Sequence, residues 1–162
     1  MRDITNAFEI KNAEIYFAKA AKLALKSKCL KDKCGAVIVH NNEIIGRGWN
    51  SPPNNASVDY CIKNALPSDF KSEKHCSLHA EQRAVMDALK NYPHLKRFRD
   101  TRIYFTRVEA DSGDLIPSGK PYCTICSKMA LDAGIKEWAL WHKWGITVYD
   151  SKEYNKFSFG LI

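Results

Sequence analysis

The chain has 162 residues, 45% of them hydrophobic, which suffices for one domain of ordinary size with its own core. Its 25 Lys and Arg outnumber its 18 Asp and Glu, and the net charge of +7 favours anionic partners. The sequence has neither a long apolar run nor a hydrophobic leader at its start, which argues against a membrane span and against secretion and predicts a cytoplasmic protein.

The first part of the chain predicts a helix followed by a β-hairpin. Ala13, Phe17 and Ala20 fall at helical spacing, so residues 6–27 predict an amphipathic helix. The segments at residues 35–39 and 44–49 are short, apolar and β-prone. The polar residues between these two segments suit a tight turn, which joins them as a hairpin.

Residues 50–77 show no sustained period and contain several prolines and asparagines, which is typical of a long irregular loop. Residues 78–90 then place apolar side chains on one face and predict a helix with His79 and Glu81 in its first turn. A strand at residues 102–106 follows this helix, and we expect the polar connection after the strand to frame the entrance of a site.

Cys123 and Cys126 open the next predicted helix, which ends near Gly134. Residues 135–141 and 146–150 are predicted strands, and the connection between them is too short for a crossover helix. We therefore expect these last two strands to form an antiparallel hairpin. The whole order of elements indicates an α/β layered fold with a mixed sheet of about five strands, and we predict a single domain over residues 1–162.

Three of these residues form a set of zinc ligands. His79, Cys123 and Cys126 supply one nitrogen and two sulfur ligands and leave a fourth position open for water, as in catalytic zinc sites. Glu81 lies two residues beyond His79, where a carboxylate can move protons to and from that water. The alternative is a structural zinc site in an interaction module without turnover.

The His-x-Glu motif at His79, the Pro-containing segment that ends in Cys123 and Cys126, and the hairpin region resemble the zinc-dependent cytidine and deoxycytidylate deaminase-like superfamily. The resemblance covers about residues 27–141. It implies a three-layer α-β-α fold, one catalytic Zn²⁺, a homo-oligomer, and hydrolytic deamination of a cytosine-containing nucleoside or nucleotide of the cytidine, CMP or dCMP type. The alternatives within this chemistry are a base in RNA or tRNA, weakly supported by the basic charge, and a free base such as guanine.

Two further residues are predicted to bind the substrate. The resemblance assigns a substrate contact to Asn50, although an asparagine before Pro52 also suits a simple loop cap. Ala80 has a small side chain that lets a flat base approach its backbone. The sequence departs from the family pattern at Tyr122, which separates Pro121 from the first cysteine and is a candidate for the pocket.

Other metal-binding and aromatic residues remain outside this site. A second, structural zinc ion is one interpretation of four residues near the long loop, and buried free cysteines are the other; these residues are Cys29, Cys61, His75 and Cys76. Cys34 is predicted to be a core residue. The aromatic residues of the C-terminal part indicate core or self-association packing, with base stacking as the alternative; they are Trp138, Trp141, Trp144, Tyr149, Tyr154, Phe157 and Phe159.

Overall fold

The computed structural model of the chain describes residues 1–67 and 76–160. The described residues form seven strands: β1 Arg2–Asp3, β2 Lys33–His40, β3 Glu43–Trp49, β4 Thr101–Val108, β5 Leu115–Ile116, β6 Glu137–His142 and β7 Gly145–Asp150. They also form four α-helices: α1 Ala7–Ala24, α2 Ala80–Asn91, α3 Thr124–Asp132 and α4 Ser151–Ser158.

All seven strands belong to one mixed sheet. The strand order is β1-β7-β6-β4-β2-β3, and β5 also pairs with β4. Strands β4 and β6 are parallel, and α3 lies in the connection between them. Strands β6 and β7 are antiparallel, with Glu137 opposite Asp150 and His142 opposite Gly145. The predicted terminal hairpin is therefore confirmed.

The sheet lies between two layers of helices. Val37 and Val39 of β2 pack with α1 residues such as Phe17 in one core cluster. Ala36 and Ile38, which alternate with them along β2, belong to the cluster that contains residues of α2, α3 and α4. Successive strand residues point to opposite faces, so both faces of β2 are buried. This arrangement confirms the predicted three-layer α-β-α fold.

The predicted ends of the first elements agree closely with the structure. Asn6 caps α1, and its Oδ1 accepts hydrogen bonds from the backbone N–H groups of Phe8 and Glu9 at 2.9 and 3.1 Å. Between β2 and β3, Asn41 and Asn42 have φ values of 47° and 65°. Two left-handed residues suit a two-residue hairpin turn, and asparagine tolerates this conformation better than most residues.

Among the strands and α-helices of the described residues, three were not predicted from the sequence. Five strands are long, as expected, but β1 and β5 bring the sheet to seven, because a two-residue strand has no sequence period to detect. Helix α4 was also missed, since its aromatic residues were interpreted only as packing or stacking groups. Asp150 caps α4 and accepts a hydrogen bond from the backbone N–H of Lys152 at 2.9 Å.

The long connection before α2 is described in part. It contains short 3₁₀ turns at Pro53–Asn55 and Ile62–Ala65, and residues 68–75 lie outside the described part of the chain. Within the described residues, every helix is too short or too polar to cross a membrane. All six cysteines are free of disulfide bonds.

Candidate active site

The starts of α2 and α3 bring the three predicted metal ligands together. His79 is the N-cap residue of α2, Cys123 is the N-cap residue of α3, and Cys126 lies in the first turn of α3. Their ligand atoms all lie within 4.8 Å of one another, and no other such group of three occurs among residues 1–67 and 76–160. The two motifs are far apart in sequence, but the fold makes them neighbours.

The separation of these atoms fits a tetrahedral ion. His79 Nδ1 lies 3.2 Å from Cys126 Sγ. Zinc bonds of about 2.1 Å to nitrogen and about 2.3 Å to sulfur at a tetrahedral angle would place the two ligand atoms about 3.6 Å apart. A single zinc ion therefore fits with a small adjustment of the side chains, and one nitrogen with two sulfurs is a donor set that zinc prefers.

The protonation of the two thiols also suits a cation. A hydrogen bond from Cys126 lowers the pKa of Cys123 to about 4, and the backbone N–H of Cys126 donates to Cys123 Sγ at 3.3 Å. The same hydrogen bond to Cys123, together with burial, raises the pKa of Cys126. The hydrogen bond to Cys123 raises the pKa of His79. The hydrogen bond thus lowers the pKa of Cys123 and raises that of Cys126, and a bound metal would take the place of the proton between the two sulfurs.

Glu81 lies on the first turn of α2 beside this cluster, and only 6% of its surface is exposed. Burial raises the pKa of its carboxyl group, and the nearby His79 opposes this rise. A carboxyl group whose pKa lies closer to neutrality exchanges protons more readily at physiological pH. The position and burial of Glu81 therefore suit proton transfer inside a site sheltered from water.

A cavity of about 470 Å³ opens over the cluster. Phe105, Leu140 and Tyr154 form an apolar part of its wall, while Ala80, Glu81 and Cys123 line the part next to the ligand atoms. A cavity of this size with a few polar groups is typical of small-molecule sites.

Basic side chains gather in the lining of the same cavity: Lys31, Lys63, Arg107 and Lys120. Arg107 Nη2 forms an ion pair of 3.0 Å with Asp32 Oδ1, and Asp32 also lines the cavity. Arg107, Ser118, Gly119 and Lys120 belong to the expected entrance segment. The sequence predicted that segment as the entrance. It did not show that Arg107 and Lys120 lie in the same cavity wall as Lys31 and Lys63, because that proximity depends on the fold.

Asn50 is buried in the wall of this cavity, and its side chain forms hydrogen bonds with the backbone around it. Its Oδ1 accepts a hydrogen bond from the backbone N–H of Cys34, and its Nδ2 donates to the carbonyl of Asp32, both at 2.7 Å. Ser27 also donates to the Asn50 carbonyl. Asn50 therefore fixes the segment that leads into β2, which is a larger structural role than the loop cap considered from the sequence. Its side chain can still donate one hydrogen bond and accept one more.

The remaining predicted residues have different positions. Ala80 is fully buried and lines the cavity, whereas Tyr122 lines it with 83% of its surface exposed. Cys34 packs at the edge of the core and also lines the cavity. Cys29, Cys61 and Cys76 line the cavity as well, while His75 lies outside the described residues.

The C-terminal aromatic residues divide into core, surface and cavity positions. Trp138 is fully buried in the core, as the packing interpretation predicts. Trp144 is 71% exposed, and its ring stacks on His142 with centroids 4.5 Å apart. Tyr154 reaches the cavity wall, a position that spacing alone did not indicate.

The site matches a known family. The sequence profile of the cytidine and deoxycytidylate deaminase zinc-binding region matches residues 10–141. The chain belongs to this family. The match includes His79, Glu81, Cys123 and Cys126, and it confirms the resemblance noted from the sequence.

Two curated deaminases are similar to this family member. The deoxycytidylate deaminase of Schizosaccharomyces pombe is 31% identical over 128 residues, which cover 75% of this chain and 34% of that protein. The deoxycytidylate deaminase of Saccharomyces cerevisiae is 34% identical over 79 residues, which cover 45% of this chain and 25% of that protein. The chain thus spans about a third or less of the length of these relatives.

Solved structures agree on the fold. The dCMP deaminase of cyanophage S-TIM5 in complex with dCMP and dUMP is 27% identical, with a TM-score of 0.55 and coverage of 83% of this chain and 82% of that chain. The cytidine deaminase of Burkholderia pseudomallei is 16% identical, with a TM-score of 0.52 and coverage of 93% and 96%. The second likeness concerns the fold alone.

Proposed function

We propose that this protein is a zinc-dependent hydrolytic deaminase of a cytosine-containing nucleotide, of the dCMP type, and that it releases ammonia. The observation that carries the proposal is the cluster of His79, Cys123 and Cys126 beside buried Glu81, in the wall of a cavity large enough for a small molecule. Membership of the deaminase family supports the same chemistry.

The lining of the cavity supports a nucleotide over a nucleoside. The lining has four basic side chains and two acidic ones, Glu81 and the Asp32 that pairs with Arg107, so positive charge remains in excess near the site. Lysine and arginine are the usual partners of phosphate oxygens. The S-TIM5 enzyme, which was crystallised with dCMP and dUMP, supports a monophosphate substrate for its relative as well.

In this proposal His79, Cys123 and Cys126 hold one zinc ion. Zinc in such a site lowers the pKa of a bound water from about 15.7 to near 7. Glu81 would accept one proton from the water and donate it to ring nitrogen N3 of cytosine, and it would then take the proton left on the added oxygen and deliver it to the departing amine. The water oxygen is added at C4 and ammonia leaves, so the products are the uracil nucleotide and ammonia.

Ala80 and Asn50 have supporting roles. Ala80 lines the cavity between a ligand and the proton-transfer group, and its small side chain leaves its backbone accessible to a flat ring. Asn50 holds the segment at Asp32 and Cys34 in place and has one donor and one acceptor site left for the sugar or the ring.

The test is ammonia release by zinc-loaded protein from a panel of dCMP, CMP, deoxycytidine, cytidine, guanine, adenosine and a tRNA. We expect dCMP or CMP to be turned over fastest. Glu81→Gln should reduce turnover by at least about 100-fold, because it removes the proton-transfer group, while the control Glu14→Gln alters an exposed residue of α1 and should not.

Turnover of none of these substrates, with wild type and Glu81→Gln behaving alike, would contradict the proposal and favour a zinc-stabilised interaction module. Turnover of the tRNA alone would contradict a free nucleotide substrate.

A second, structural zinc ion remains a prediction. Cys29, Cys61 and Cys76 all line the cavity, and the fourth predicted ligand, His75, precedes Cys76 in sequence. The sulfurs of these three cysteines do not form a metal-binding group in the described residues, so a second ion would have to draw them together. Two zinc ions per chain, falling to one in Cys61→Ser with the catalytic ion retained, would support the site, and one ion would support free cysteines. A zinc content of one per chain in the wild-type protein would contradict this prediction.

The wider context also remains a set of predictions. Residues 1–162 are expected to act as a single domain, in the cytoplasm, and the resemblance implies a homo-oligomer. Sedimentation of the purified chain tests the oligomeric state.

A further inference from the structure

Tyr154 closes one side of the candidate active site from a helix that carries none of its proposed metal ligands. It lies on α4, is only 4% exposed, and lines the cavity together with Glu81, Phe105 and Leu140. The side chain is thus buried from bulk water while it belongs to the wall of the cavity that the substrate is proposed to enter.

The ring of Tyr154 is held firmly by its neighbours. It stacks on Trp138 with ring centroids 4.0 Å apart and an interplanar angle of 10°. It also meets Tyr149 edge-on at 5.8 Å and 85°. Such aromatic pairs restrict a ring to one orientation, so the hydroxyl of Tyr154 has a fixed position in the site.

Helix α4 is itself fixed to α3, the helix of the two cysteines. Ser127 Oγ donates a hydrogen bond of 2.8 Å to Asn155 Oδ1, and it lies 2.9 Å from Ser158 Oγ. The position of Tyr154 relative to the proposed metal ligands is therefore set by direct hydrogen bonds between the two helices.

The hydroxyl of Tyr154 lacks a hydrogen-bond partner among the described residues. The hydroxyl of Tyr149, by contrast, lies 3.1 Å from Nε2 of buried His142. The buried side-chain atoms without a partner in the described residues are Arg83 Nε, Trp138 Nε1 and Ser151 Oγ, so the Tyr154 hydroxyl borders open space. The cavity is the space from which a partner for Tyr154 would come.

The chemical state of the phenol defines the partner that it requires. A tyrosine phenol has an ordinary pKa of about 10. The hydroxyl therefore stays protonated near neutral pH and seeks an acceptor. On a cytosine ring, N3 takes the proton from Glu81 and the 4-amino group leaves, so the 2-carbonyl oxygen is the acceptor that remains.

We propose that Tyr154 is a further substrate-binding residue, whose hydroxyl donates a hydrogen bond to the 2-carbonyl oxygen of the pyrimidine in the cavity. This inference rests on the proposed function, since it requires a cytosine ring beside Glu81. Tyr154 selects a ring with a carbonyl next to N3, while its aromatic face completes the apolar wall formed with Phe105 and Leu140.

The experiment compares Tyr154→Phe with the matched variant Tyr149→Phe in zinc-loaded protein. Tyr154→Phe keeps the stacked ring and removes only the hydroxyl, so zinc content and the thermal midpoint should stay close to those of the wild type. We expect kcat/KM for dCMP to fall by about 3- to 10-fold, mostly through KM, as for the loss of one neutral hydrogen bond. Tyr149→Phe removes a hydroxyl paired with His142 and should leave KM unchanged.

The 2-thio analogue of dCMP provides the decisive comparison, because sulfur is a poor acceptor of hydrogen bonds. The wild-type protein should lose about as much kcat/KM on this substrate as Tyr154→Phe loses on dCMP. In Tyr154→Phe the change from oxygen to sulfur should have little further effect, since coupled groups show non-additive losses.

Equal losses on the thio analogue in both proteins, or an unchanged KM for dCMP in Tyr154→Phe, would overturn the assignment of Tyr154 and leave the deaminase proposal standing. Absence of turnover of any cytosine substrate by the wild-type protein would instead overturn the deaminase proposal, and the assignment of Tyr154 with it.

Discussion

The backbone of Gly48 in β3 lies directly beneath the carbonyl oxygen of Ala80 at the start of α2. A Cβ atom on Gly48 would stand 2.0 Å from that oxygen and 2.5 Å from the backbone nitrogen of Ala84. Both neighbours are backbone atoms, so a side chain at position 48 requires the helix to move. The helix that follows His79 and contains Glu81 can therefore pack this closely on the sheet because residue 48 is a glycine.

Gly48→Ala should displace the start of α2 and weaken metal binding. We expect a stability loss of about 1–3 kcal/mol, as for other overpacked sites, together with lower zinc affinity and lower turnover. Gly46→Ala is the matched control, since its Cβ would meet the carbonyl oxygen of Ala84 at 2.4 Å, one turn further from His79. Titration with a zinc indicator and urea denaturation measure the two effects, and equal zinc affinities in both variants would contradict the positional role of Gly48.

Cys126→Ser should remove zinc from the proposed catalytic site. The buried sulfur of Cys126 lies 3.2 Å from His79 Nδ1, and a serine hydroxyl is a much weaker zinc ligand than a thiolate. The variant is expected to lose bound zinc, and the thermal midpoint should become insensitive to added zinc at this site. Cys34→Ser, which changes a cavity residue outside the cluster, should retain the metal. Retention of stoichiometric zinc in Cys126→Ser, measured by atomic absorption, would refute the ligand assignment.

Asn50→Ala should destabilise the fold as well as reduce activity. The substitution leaves the backbone N–H of Cys34 and the carbonyl of Asp32 without their side-chain partners. An unsatisfied buried group costs about 1–3 kcal/mol, and since both of these groups are only partly buried, we expect a loss of about 1–2 kcal/mol in the free energy of unfolding. If urea denaturation gave wild-type stability for the variant, Asn50 would have to act on the substrate alone.

The ion pairs around Arg102 should make stability depend on pH at acid values. Arg102 pairs with Glu9 at 3.2 Å and with Glu137 at 2.7 Å, and Glu9 also pairs with Arg2 at 2.7 Å. The hydrogen bond from Arg2 is the main cause that lowers the pKa of Glu9 in the folded state.

The contribution of Glu9 is therefore present above its unfolded pKa of about 4.3 and is lost as the pH falls through its lower folded pKa. Since Glu9 and Arg2 are partly exposed, we expect Glu9→Gln to cost no more than about 1 kcal/mol at pH 7 and close to nothing at pH 2. Glu14→Gln on the same helix, which forms no ion pair with a described residue, is the control. Urea denaturation at a series of pH values measures both, and a penalty that persists at pH 2 would rule out an ionic origin.

The ligand cluster was predictable because its information is local. His79 and Glu81 are two residues apart, and Cys123 and Cys126 are three apart. Each pair therefore forms a recognisable metal-site motif within one helical turn. The elements with strong periods were predictable for the same reason. The ligand atoms of His79, Cys123 and Cys126 lie within 4.8 Å of one another because α2 and α3 pack on the same face of the sheet.

The rest of the site depends on contacts between distant parts of the chain. Lys31 and Lys120 are 89 positions apart and meet at the cavity only because β2 and β4 are neighbours. Tyr154 was interpreted as one of several packing residues, since α4 has only eight residues, too few for a sustained period to be recognised. The bonds of Asn50 to Asp32 and Cys34 likewise span the hairpin and leave no trace in local spacing.

Helix α4 contributes one wall of the cavity and none of the three clustered ligand atoms. It follows the last strand and contacts α3 through a few serine and asparagine side chains. Substitutions in these eight residues can therefore change the shape of the cavity wall, while the proposed metal ligands at the starts of α2 and α3 stay the same. In the proposed deaminase, α4 would therefore be a place where the choice of base can change without any change of a proposed metal ligand.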